Sequence, residues 1–512
     1  MKMKNIVAMV MAIVMLLGLL AGCNQEKPEE TKKPAETQKP QETSPKQEDP
    51  TEPAEKVTLT WFLRGKEPAD MAMVEEEFNK MLEGRVNATV DFIFPANLVE
   101  TVNMMTTSGE AFDLTFYADW FNPSYPTLAT KGALLELSDL LDQYGPAIKA
   151  SIPEDILNAT KVGDGLYAIP NYQTAVSDPQ FIMSQELVDK YNIDMDSLKG
   201  AALDGTAVEK VSAIFETIKQ NEPDKFPFYM TSTVSFVHGN IEELAGASSM
   251  AAIDRETGEV LNYFDYMKEV ARVACEWYAK GYIREDVLTV SDQSGDIKAG
   301  RFAGFVAADA REGSVIGYGA SYGIEGEVAY VGLSNPYANA NHPQAALTVI
   351  SRTSEHPVEA MQLINLMYED DKLLNTLLWG VEGTHWTMNA DGTIKRTDAG
   401  KSYAIAGWLC GNTYKAYVEE GNNPELPKLE MDYMAAAQPS LLNGFIFDNT
   451  NVSAELANCT AVRKEFSHLF KGACSLDDFE SEWTRFKDAM YAAGYETLYK
   501  EIVSQVNAFL GK

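Results

Sequence analysis

The fold is decided by five consecutive segments of the chain: VTLTWFL at residues 57–63, ADMAMVEEEFNKMLE at 69–83, VNATVDFIF at 86–94, NLVETVNMMTT at 97–107 and FDLTFY at 112–117. The first, third and fifth are short apolar runs typical of buried strands. The second is typical of a helix, because its apolar residues Val74, Phe78, Met81 and Leu82 fall on one stripe. The order strand, helix, strand, helix, strand predicts an α/β unit with a parallel, doubly wound sheet.

Two short stretches follow strands of this predicted sheet. Residues 61–65 (WFLRG) end the first strand, and residues 118–121 (ADWF) follow the third. Ligands of doubly wound sheets gather at the carboxyl ends of the strands, so these stretches are expected at a binding site. Neither strand–helix junction carries GxGxxG or a P-loop pattern, so the sequence gives no support for a dinucleotide or nucleotide-phosphate site.

The N-terminus has the layout of a secretory signal peptide over residues 1–22, with two lysines ahead of an apolar run at 6–20. The run ends in Leu-Ala-Gly-Cys, which looks like the lipobox of bacterial lipoproteins. We therefore expect cleavage before Cys23 and acylation of its thiol, which would anchor the mature chain to the membrane. The alternative is a single transmembrane anchor, since about 18 apolar residues are near the lower limit for spanning a bilayer.

The segment after the lipobox differs sharply in composition from the rest of the chain. Residues 24–56 contain no Leu, Ile, Val, Met or aromatic side chain. Such a segment cannot offset its ordering entropy by burial, so residues 23–56 are expected to form a disordered tether. Residues 57–512 are too many for one ordinary core and suit two lobes.

The chain is strongly acidic, with a formal net charge of −33 at pH 7. Binding to nucleic acid needs clustered Lys and Arg, so the charge argues against nucleic acid as a partner and disfavours polyanionic ligands. After Cys23, four cysteines remain: Cys275, Cys410, Cys459 and Cys474. Their spacing matches no zinc motif, and the sequence leaves open whether they are free thiols or include a disulfide.

The remainder of the chain is rich in predicted helices. They lie at 184–191, 207–220, 266–280 and 359–378, with two more within 475–510. Trp277 and Trp483 lie on helical stripes and are expected in the core. Residues 388–393 (MNADGT) are expected to form a hairpin turn, because the acidic residues of a calcium loop are missing.

Beyond these local patterns, the order of several motifs resembles a known family. They are LTWFLRG, KGALLELSDLLDQYG, GDGLYAIPNY, IKAGRFAGFV, the stretch from EHPVEAMQ to WGVEGTHW, and a C-terminal block that begins GFIFDNTNVSAELANC. Together with the lipobox and the tether, they resemble the family-1 extracellular solute-binding proteins of ABC importers. The resemblance is greatest to the LplA-like lipoprotein branch of Gram-positive bacteria, whose members carry their own C-terminal domain.

The resemblance implies a type II periplasmic-binding-protein-like fold of class α/β, in which each of two lobes is a doubly wound sheet flanked by helices. Lobe one would comprise residues 57–172 and 331–379. Lobe two would comprise residues 173–330 and 380–512, including a C-terminal helical region. The lobes would close on a solute held in the cleft between them.

The same resemblance implies where the chain crosses between the lobes and what the protein does. The crossings would fall near Pro170, Gly332 and Gly380. The protein would be a non-enzymatic receptor that captures a solute, a sugar or oligosaccharide in most relatives, and delivers it to the permease subunits of an ABC transporter. It would act as a lipid-anchored monomer on the extracellular face of the cell membrane, with no cofactor and no metal.

A cleft that binds an uncharged sugar needs aromatic faces for the ring and a few fixed polar groups for the hydroxyls. Carried onto this sequence, Trp61 and Trp120 would supply such faces. Arg64 and Asp119 would act beside them as donor and acceptor. Trp61 stands at a strand end and could equally be a core residue, whereas Trp120 lies in a loop and is expected to be exposed.

Further candidates for ligand binding lie near the implied crossings: Asn171, Tyr172, Trp379, Glu382, His385 and Trp386. Of the last two tryptophans in this set, one is expected in the core and the other in the cleft. Asp309, after the strand FAGFV, would face the cleft or pair with Arg311 on its rim. Trp408 is a less favoured candidate.

Two other classes of function stay open. A cell-surface glycan hydrolase needs two carboxylates about 5–10 Å apart across a cleft, and acidic residues are abundant enough here to supply them. A surface lipoprotein without a transport role, such as an adhesin, would lack a cleft between lobes. Glu382 and His385 invite a catalytic or metal-binding reading, but the other histidines are scattered and no second cluster of metal ligands accompanies them.

Overall fold

The computed structural model describes residues 56–174, 176–177, 179–229, 239–244, 249–290, 293–307, 310, 312–315, 318–319, 322–338, 342–403 and 405–512. The predicted signal peptide, Cys23 and residues 24–55 lie outside this set. In the part of the chain that is described, no helix combines the length and the apolar character needed to pass through a bilayer.

The described strands are, in chain order, β1 (Val57–Phe62), β2 (Ala88–Ile93), β3 (Leu114–Tyr117), β4 (Lys161–Val162), β5 (Gly165–Leu166), β6 (Ile169–Pro170), β7 (Val176–Ser177), β8 (Gln180–Ser184), β9 (Phe226–Phe228), β10 (Ile241–Leu244), β11 (Ala251–Asp254), β12 (Val260–Asn262), β13 (Phe302–Ala307), β14 (Val328–Gly332), β15 (Tyr337–Ala338), β16 (Leu347–Ile350), β17 (Trp386–Met388), β18 (Ile394–Arg396) and β19 (Gln438–Pro439).

The described α-helices are α1 (Met71–Leu82), α2 (Leu98–Ser108), α3 (Tyr125–Thr130), α4 (Ser138–Tyr144), α5 (Pro146–Ser151), α6 (Glu154–Asn158), α7 (Gln185–Tyr191), α8 (Ala207–Asn221), α9 (Phe264–Ala279), α10 (Ser294–Lys298), α11 (Pro357–Glu369), α12 (Asp371–Trp379), α13 (Leu426–Ala436), α14 (Ser453–Glu465), α15 (Ser467–Phe470), α16 (Phe479–Ala492) and α17 (Tyr495–Phe509). Short 3-10 turns lie at Asp196–Leu198, His342–Gln344, Gly400–Ser402, Gly407–Leu409, Thr413–Lys415 and Thr450–Val452.

The first lobe is built on a five-stranded sheet with the order β2-β1-β3-β16-β6. β1 pairs in parallel with both β2 and β3, which confirms the parallel sheet predicted at the start of the folded region. β16 is antiparallel to β3 and to β6, so the complete sheet is mixed. Helix α1 packs beside β2 through the predicted stripe, with Met71, Val74, Phe78 and Leu82 buried.

Capping side chains explain where two helices of this lobe begin. The Asn97 side chain accepts a hydrogen bond from the N–H of Glu100 over 3.2 Å, which fixes the start of α2. The helix predicted over residues 359–378 is divided into α11 and α12 at Asp370. The Asp370 side chain accepts from the N–H of Leu373 over 3.0 Å and so starts α12 as a separate helix.

The second lobe has a four-stranded sheet with the order β14-β8-β13-β9. Only β13 and β9 are parallel, while β8 is antiparallel to both of its neighbours. Trp277 and Trp483 are buried in the core of this lobe, which confirms the expectation for both. Helices α15 and α16 pack directly on α9, so the C-terminal region completes this core and is not a separate domain.

The chain passes between the lobes three times, and the crossing segments form one small sheet with the order β19-β15-β7. β15 is the central strand, antiparallel to β7 and parallel to β19. The first two crossings, at β7 and β15, lie a few residues beyond the predicted positions at Pro170 and Gly332.

The predicted third crossing at Gly380 is wrong, because the chain stays with the first lobe until it reaches β19. Gly380 ends α12 with a φ of 83°. The chain then folds back onto α12: the Tyr403 hydroxyl donates to the carbonyl of Leu377 over 2.8 Å, and Cys410 is fully buried in the first core. Residues 380–436 therefore belong with lobe one.

Candidate functional site

A groove of about 1130 Å³ lies at the carboxyl ends of β1, β2 and β3. The loops that follow these three strands line it: Arg64, Gly65, Lys66, Glu67, Phe94, Pro95, Ala96, Asn97, Leu98, Val99, Trp120, Phe121 and Asn122. Parallel strands deliver their carboxyl ends to one edge of a sheet, which is why residues so far apart in sequence meet here. The groove is therefore where the sequence pattern places a binding site.

Trp120 presents an aromatic face to this groove. Its side chain is 51% exposed, yet its Nε1–H is satisfied by a hydrogen bond to the backbone carbonyl of Ala345 over 2.7 Å. Phe121 packs edge-on against it, with ring centroids 4.5 Å apart, and is itself anchored edge-on against Tyr117. The indole is thus open to solvent and fixed in orientation, as expected for a stacking surface.

The guanidinium of Arg64 lies between two indoles. Its Cζ is 5.2 Å from the ring centroid of Trp120 and 5.9 Å from that of Trp408. Trp408, in turn, packs edge-on against Phe116 of β3 at 5.3 Å. Cation–π contacts of this kind hold a guanidinium in place while leaving its N–H groups free to donate. Arg64 is therefore a positioned donor at the mouth of the groove.

Asp119 is half-buried beside the same loop. Its backbone N–H donates to the carbonyl of Gln344 over 3.0 Å. Burial raises the pKa of the Asp119 carboxyl to about 6, although hydrogen bonds from the backbone N–H of Trp120 and from its own N–H oppose the shift. At neutral pH it is a mostly ionised acceptor that protonates readily under mildly acidic conditions.

Trp61 does not belong to the site, which corrects the expectation that it stacks on a ligand. The side chain is 1% exposed and packs against Phe92 on the neighbouring strand, with ring centroids 5.7 Å apart. Side chains of a strand alternate between its two faces, and Trp61 points into the core of the first lobe.

Asn171 and Tyr172 are buried, and the structure gives them a structural role instead of a place in the groove. The Asn171 side chain donates to the carbonyl of Trp408 over 3.2 Å and accepts from the Thr348 hydroxyl over 2.8 Å. The N–H of Tyr172 donates to the carbonyl of Gly411 over 2.8 Å. Both residues thus hold the loop that carries Trp408 against the end of the first-lobe sheet.

His385 is also structural, so the catalytic or metal-binding reading gains nothing from the geometry. It is fully buried, and its Nδ1 accepts a hydrogen bond from the N–H of Val381 over 2.9 Å. With Nδ1 accepting, the proton of the neutral ring is on Nε2, which lies 3.7 Å from Oδ2 of Asp70. The imidazole stabilises the turn after α12 through Nδ1, while Nε2 has no hydrogen-bond partner among the described residues.

The other three candidates in this turn also lie outside the groove. Trp386 is 4% exposed, and its Nε1–H donates to the carbonyl of Gly380 over 3.0 Å. Trp379 is half-buried, with the Arg396 guanidinium 5.7 Å from its ring centroid. Glu382 is exposed and pairs by a backbone bridge with Trp386. Neither tryptophan lines the groove, so the groove gives no support to the expectation that one of them faces the cleft.

Two predicted functional residues, Asp309 and the lipidation site Cys23, lie outside the described residues, as does Arg311. In the described part of the chain, no group of three or more His, Cys, Asp or Glu side chains could hold a metal ion. The predicted hairpin at residues 388–393 is confirmed by the antiparallel pair β17 and β18.

Several groove residues were not singled out from the sequence. Phe121 and Asn122 directly follow Trp120, while Asn97 and Phe94 come from the end of β2. The first pair could have been found by adjacency, since Trp120, Phe121 and Asn122 are consecutive in the loop after β3. The loop after β2 could have been included on the same topological rule that selected the ends of β1 and β3.

Comparison with known proteins agrees with this architecture. A family described as "Domain of unknown function (DUF3502)" matches residues 441–511, the C-terminal helical part of the second lobe. Over 472 residues the chain is 25% identical to a carbohydrate ABC transporter substrate-binding protein of Streptococcus pneumoniae serotype 4, an alignment that covers 89% of this chain and 91% of that protein.

Solved structures show the same fold. The N-glycan transport solute-binding protein NgtS of Streptococcus pneumoniae aligns with a TM-score of 0.77 at 23% identity, over 89% of this chain and 100% of that chain. NgtS in complex with Man5GlcNAc aligns with a TM-score of 0.72 at 23% identity, over 89% of this chain and 99% of that chain. These similarities confirm the predicted fold class, a two-lobed α/β solute-binding-protein fold.

Proposed function

We propose that the protein is a substrate-binding protein of an ABC importer, which captures a carbohydrate in the groove at the ends of β1, β2 and β3 and delivers it to the permease. The observation that carries the proposal is the indole of Trp120, which is 51% exposed in the groove while its Nε1–H is bonded to Ala345. A fixed aromatic face that is open to solvent suits the apolar face of a pyranose ring.

The groove also carries polar groups of both kinds for the ligand's hydroxyls. Arg64 and Lys66 are donors, Glu67 is an acceptor, and the side-chain amides of Asn97 and Asn122 can be either. Polar groups that surround one aromatic face are the usual composition of a sugar site. Nothing in this arrangement requires a cofactor.

We infer that the ligand is larger than a monosaccharide. The groove, at about 1130 Å³, exceeds the roughly 300–1,000 Å³ that encloses a drug-sized molecule. The curated relative is a carbohydrate transporter component, and NgtS was crystallised with Man5GlcNAc. An oligosaccharide is therefore the ligand class that we assign, with binding by a monomer and delivery to transmembrane permease subunits.

We further propose that the protein acts on the extracellular face of the membrane as a lipoprotein anchored at Cys23, in the manner of the LplA-like branch. The Leu-Ala-Gly-Cys sequence and the apolar-free segment after it support this assignment. Cys23→Ala is expected to release the protein to the medium or to leave it unprocessed, as measured by cell fractionation. Normal retention of a processed Cys23→Ala protein would exclude the lipid anchor and leave the receptor function intact.

The proposed receptor is not an enzyme. A glycan hydrolase reading would rest on Asp119, which lies next to the groove residue Trp120 and whose raised pKa suits a general acid, with Glu67 of the groove as the second carboxylate. Incubation with any glycan that binds is expected to return that glycan intact, as read by mass spectrometry. Cleavage of a glycan by the wild-type protein that is lost in Asp119→Asn would show that the protein is a hydrolase and not a receptor.

The decisive experiment is a panel of oligosaccharides, including mannose- and N-acetylglucosamine-containing glycans, tested by thermal shift and then by titration calorimetry. At least one glycan is expected to raise the Tm by mass action and to change tryptophan fluorescence. The proposal fails if no carbohydrate raises the Tm while a peptide or amino-acid set does.

A further inference from the structure

Two buried cysteines of the second lobe face each other. Cys275 lies in α9 and Cys474 lies in the loop between α15 and α16, and each thiol is near enough to shift the pKa of the other. Both are free thiols. The Cys275 Sγ donates to the carbonyl of Leu469 in α15 over 3.7 Å, and the Cys474 Sγ donates to the carbonyl of Ser475 over 3.5 Å. Nearly two hundred residues separate the two cysteines in sequence, and the fold brings their segments together.

The backbone around Cys474 is held tightly against α9. At Gly472, which has a φ of 81°, a Cβ atom would stand 2.3 Å from the carbonyl oxygen of Ala274 and 3.1 Å from the Cβ of Tyr278. Only a glycine permits this approach, so the loop and the helix are in direct backbone contact one residue from Cys275. This packing holds the segment that carries Cys474 against the helix that carries Cys275.

The other two cysteines of the described chain provide a contrast. Cys410 and Cys459 are both fully buried, the first in lobe one and the second in α14. Burial raises the pKa of both thiols, that of Cys459 to about 11 and that of Cys410 to about 12. Neither thiol has its pKa shifted by another cysteine.

We propose that Cys275 and Cys474 are a site of oxidative cross-linking, which an external disulfide converts into an intramolecular disulfide bond. The bond would join α9 to the C-terminal segment of residues 441–511, which contains Cys474. The inference concerns the second lobe alone and does not depend on what the groove of the first lobe binds.

The reaction begins at Cys474, because this side chain is 9% exposed whereas Cys275 is fully buried. The Cys474 thiol loses its proton to solvent and attacks one sulfur of the external disulfide, which forms a mixed disulfide and releases one external thiol. The Cys275 sulfur then loses its proton and attacks the Cys474 Sγ, which forms the Cys275–Cys474 bond and releases the second external thiol. Two protein thiols are oxidised by two electrons, and the external disulfide is reduced to two thiols.

Burial makes the exchange slow once the lobe is folded. It raises the pKa of the Cys275 thiol to about 12, and that of the Cys474 thiol is raised as well, so the thiolate fraction is small at neutral pH. Refolding in a redox buffer, during which both thiols are accessible, is therefore expected to form the bond faster than oxidation of the native protein.

The test uses the purified full chain with oxidised glutathione as the external disulfide, both during refolding and on the native protein. Denatured samples are alkylated and digested without reduction. We expect a linked peptide pair containing Cys275 and Cys474 that separates on reduction, with Cys410 and Cys459 alkylated. The oxidised protein is expected to melt a few degrees above the reduced protein, because the bond closes a long loop.

Cys474→Ser serves as the matched control, since its side chain is the more exposed of the two and its removal leaves the α9 packing in place. Its Tm is expected to be insensitive to oxidised glutathione, and so is that of Cys275→Ala. The proposal is overturned if the refolded wild-type chain keeps both thiols alkylated, carries glutathione on Cys474 without a link, or links either residue to another cysteine.

Discussion

The indole Nε1–H of Trp120 donates a 2.7 Å hydrogen bond to the backbone carbonyl of Ala345. Ala345 lies between the central crossing strand β15 and strand β16 of the first-lobe sheet. The exposed ring is therefore held by the chain segment that has just returned from the second lobe. A ligand that stacks on Trp120 contacts a side chain whose orientation is set at the crossing.

Trp120→Ala is expected to weaken oligosaccharide binding by about 1–3 kcal/mol, since it removes the aromatic face of the groove. Trp120→Phe retains an aromatic face but loses the bond to Ala345, so a smaller loss of about 1 kcal/mol is expected. Titration calorimetry with a glycan identified by thermal shift measures both. Tyr491→Ala, which truncates an aromatic that is 41% exposed in the second lobe, is the control and should bind normally. Equal affinities for Trp120→Ala and wild type would remove Trp120 from the site.

Arg64→Met keeps much of the side-chain length but deletes the guanidinium that lies between the two indoles. A charged donor that hydrogen-bonds a ligand hydroxyl contributes about 1.5–3 kcal/mol, and a loss of affinity in that range is expected. Lys66→Met is the matched control for Arg64→Met, because Lys66 lines the same groove without a described ring contact. A larger loss for Lys66→Met than for Arg64→Met, measured by the same calorimetry, would contradict the assignment of Arg64 as the positioned donor.

The raised pKa of Asp119 predicts that the stability of the protein depends on pH. Its pKa in the folded protein, about 6, lies above the value of about 3.8 that it has without burial, so the folded state binds the proton more tightly. Between about pH 4 and pH 6 the stabilising contribution of this proton is lost as the pH rises. The Asp119→Asn variant has no carboxyl to titrate at this position. The Tm of the variant minus the Tm of the wild type should therefore increase from pH 4 to pH 7. A Tm difference that is constant over this range would show that the carboxyl is not desolvated.

Gly380 and Gly383 form a matched pair within one turn. Both have positive φ angles, 83° and 81°, but a Cβ at Gly380 would lie 2.6 Å from Cγ of His385, whereas one at Gly383 meets nothing within 4 Å. Gly383→Ala should lower the free energy of unfolding by about 1 kcal/mol through backbone strain alone. Gly380→Ala should lower the free energy of unfolding by clearly more, because it also displaces the buried imidazole of His385. Denaturant titration compares them, and equal losses would mean that the turn absorbs the clash.

Much of the first lobe could be predicted from local pattern. The strands and helices between residues 57 and 117 were predicted within two residues at most ends, because each apolar run has the period of the element it forms. The site edge followed from topology, which selected Arg64 and Trp120 of the groove without any contact information, whereas Asp119, selected with them, does not line the groove. These inferences needed only periodicity and one rule about parallel strands.

The candidates that failed share a physical cause. Trp61 and Trp386 are aromatic residues near a strand end and an expected crossing, but both indoles are buried, against Phe92 and Tyr417 respectively. The third crossing was misplaced for a related reason. A glycine with positive φ ends a helix equally well at a domain boundary and at a turn that folds back, and only long-range packing on α12 separates the two.

The crossing sheet has a mechanical consequence. Three separate tethers could each swing independently, but β7, β15 and β19 are hydrogen-bonded side by side into one ribbon. Any rotation of one lobe against the other must bend all three strands together, so the ribbon acts as a single hinge. Motion of one lobe relative to the other is thereby restricted to rotation about one axis.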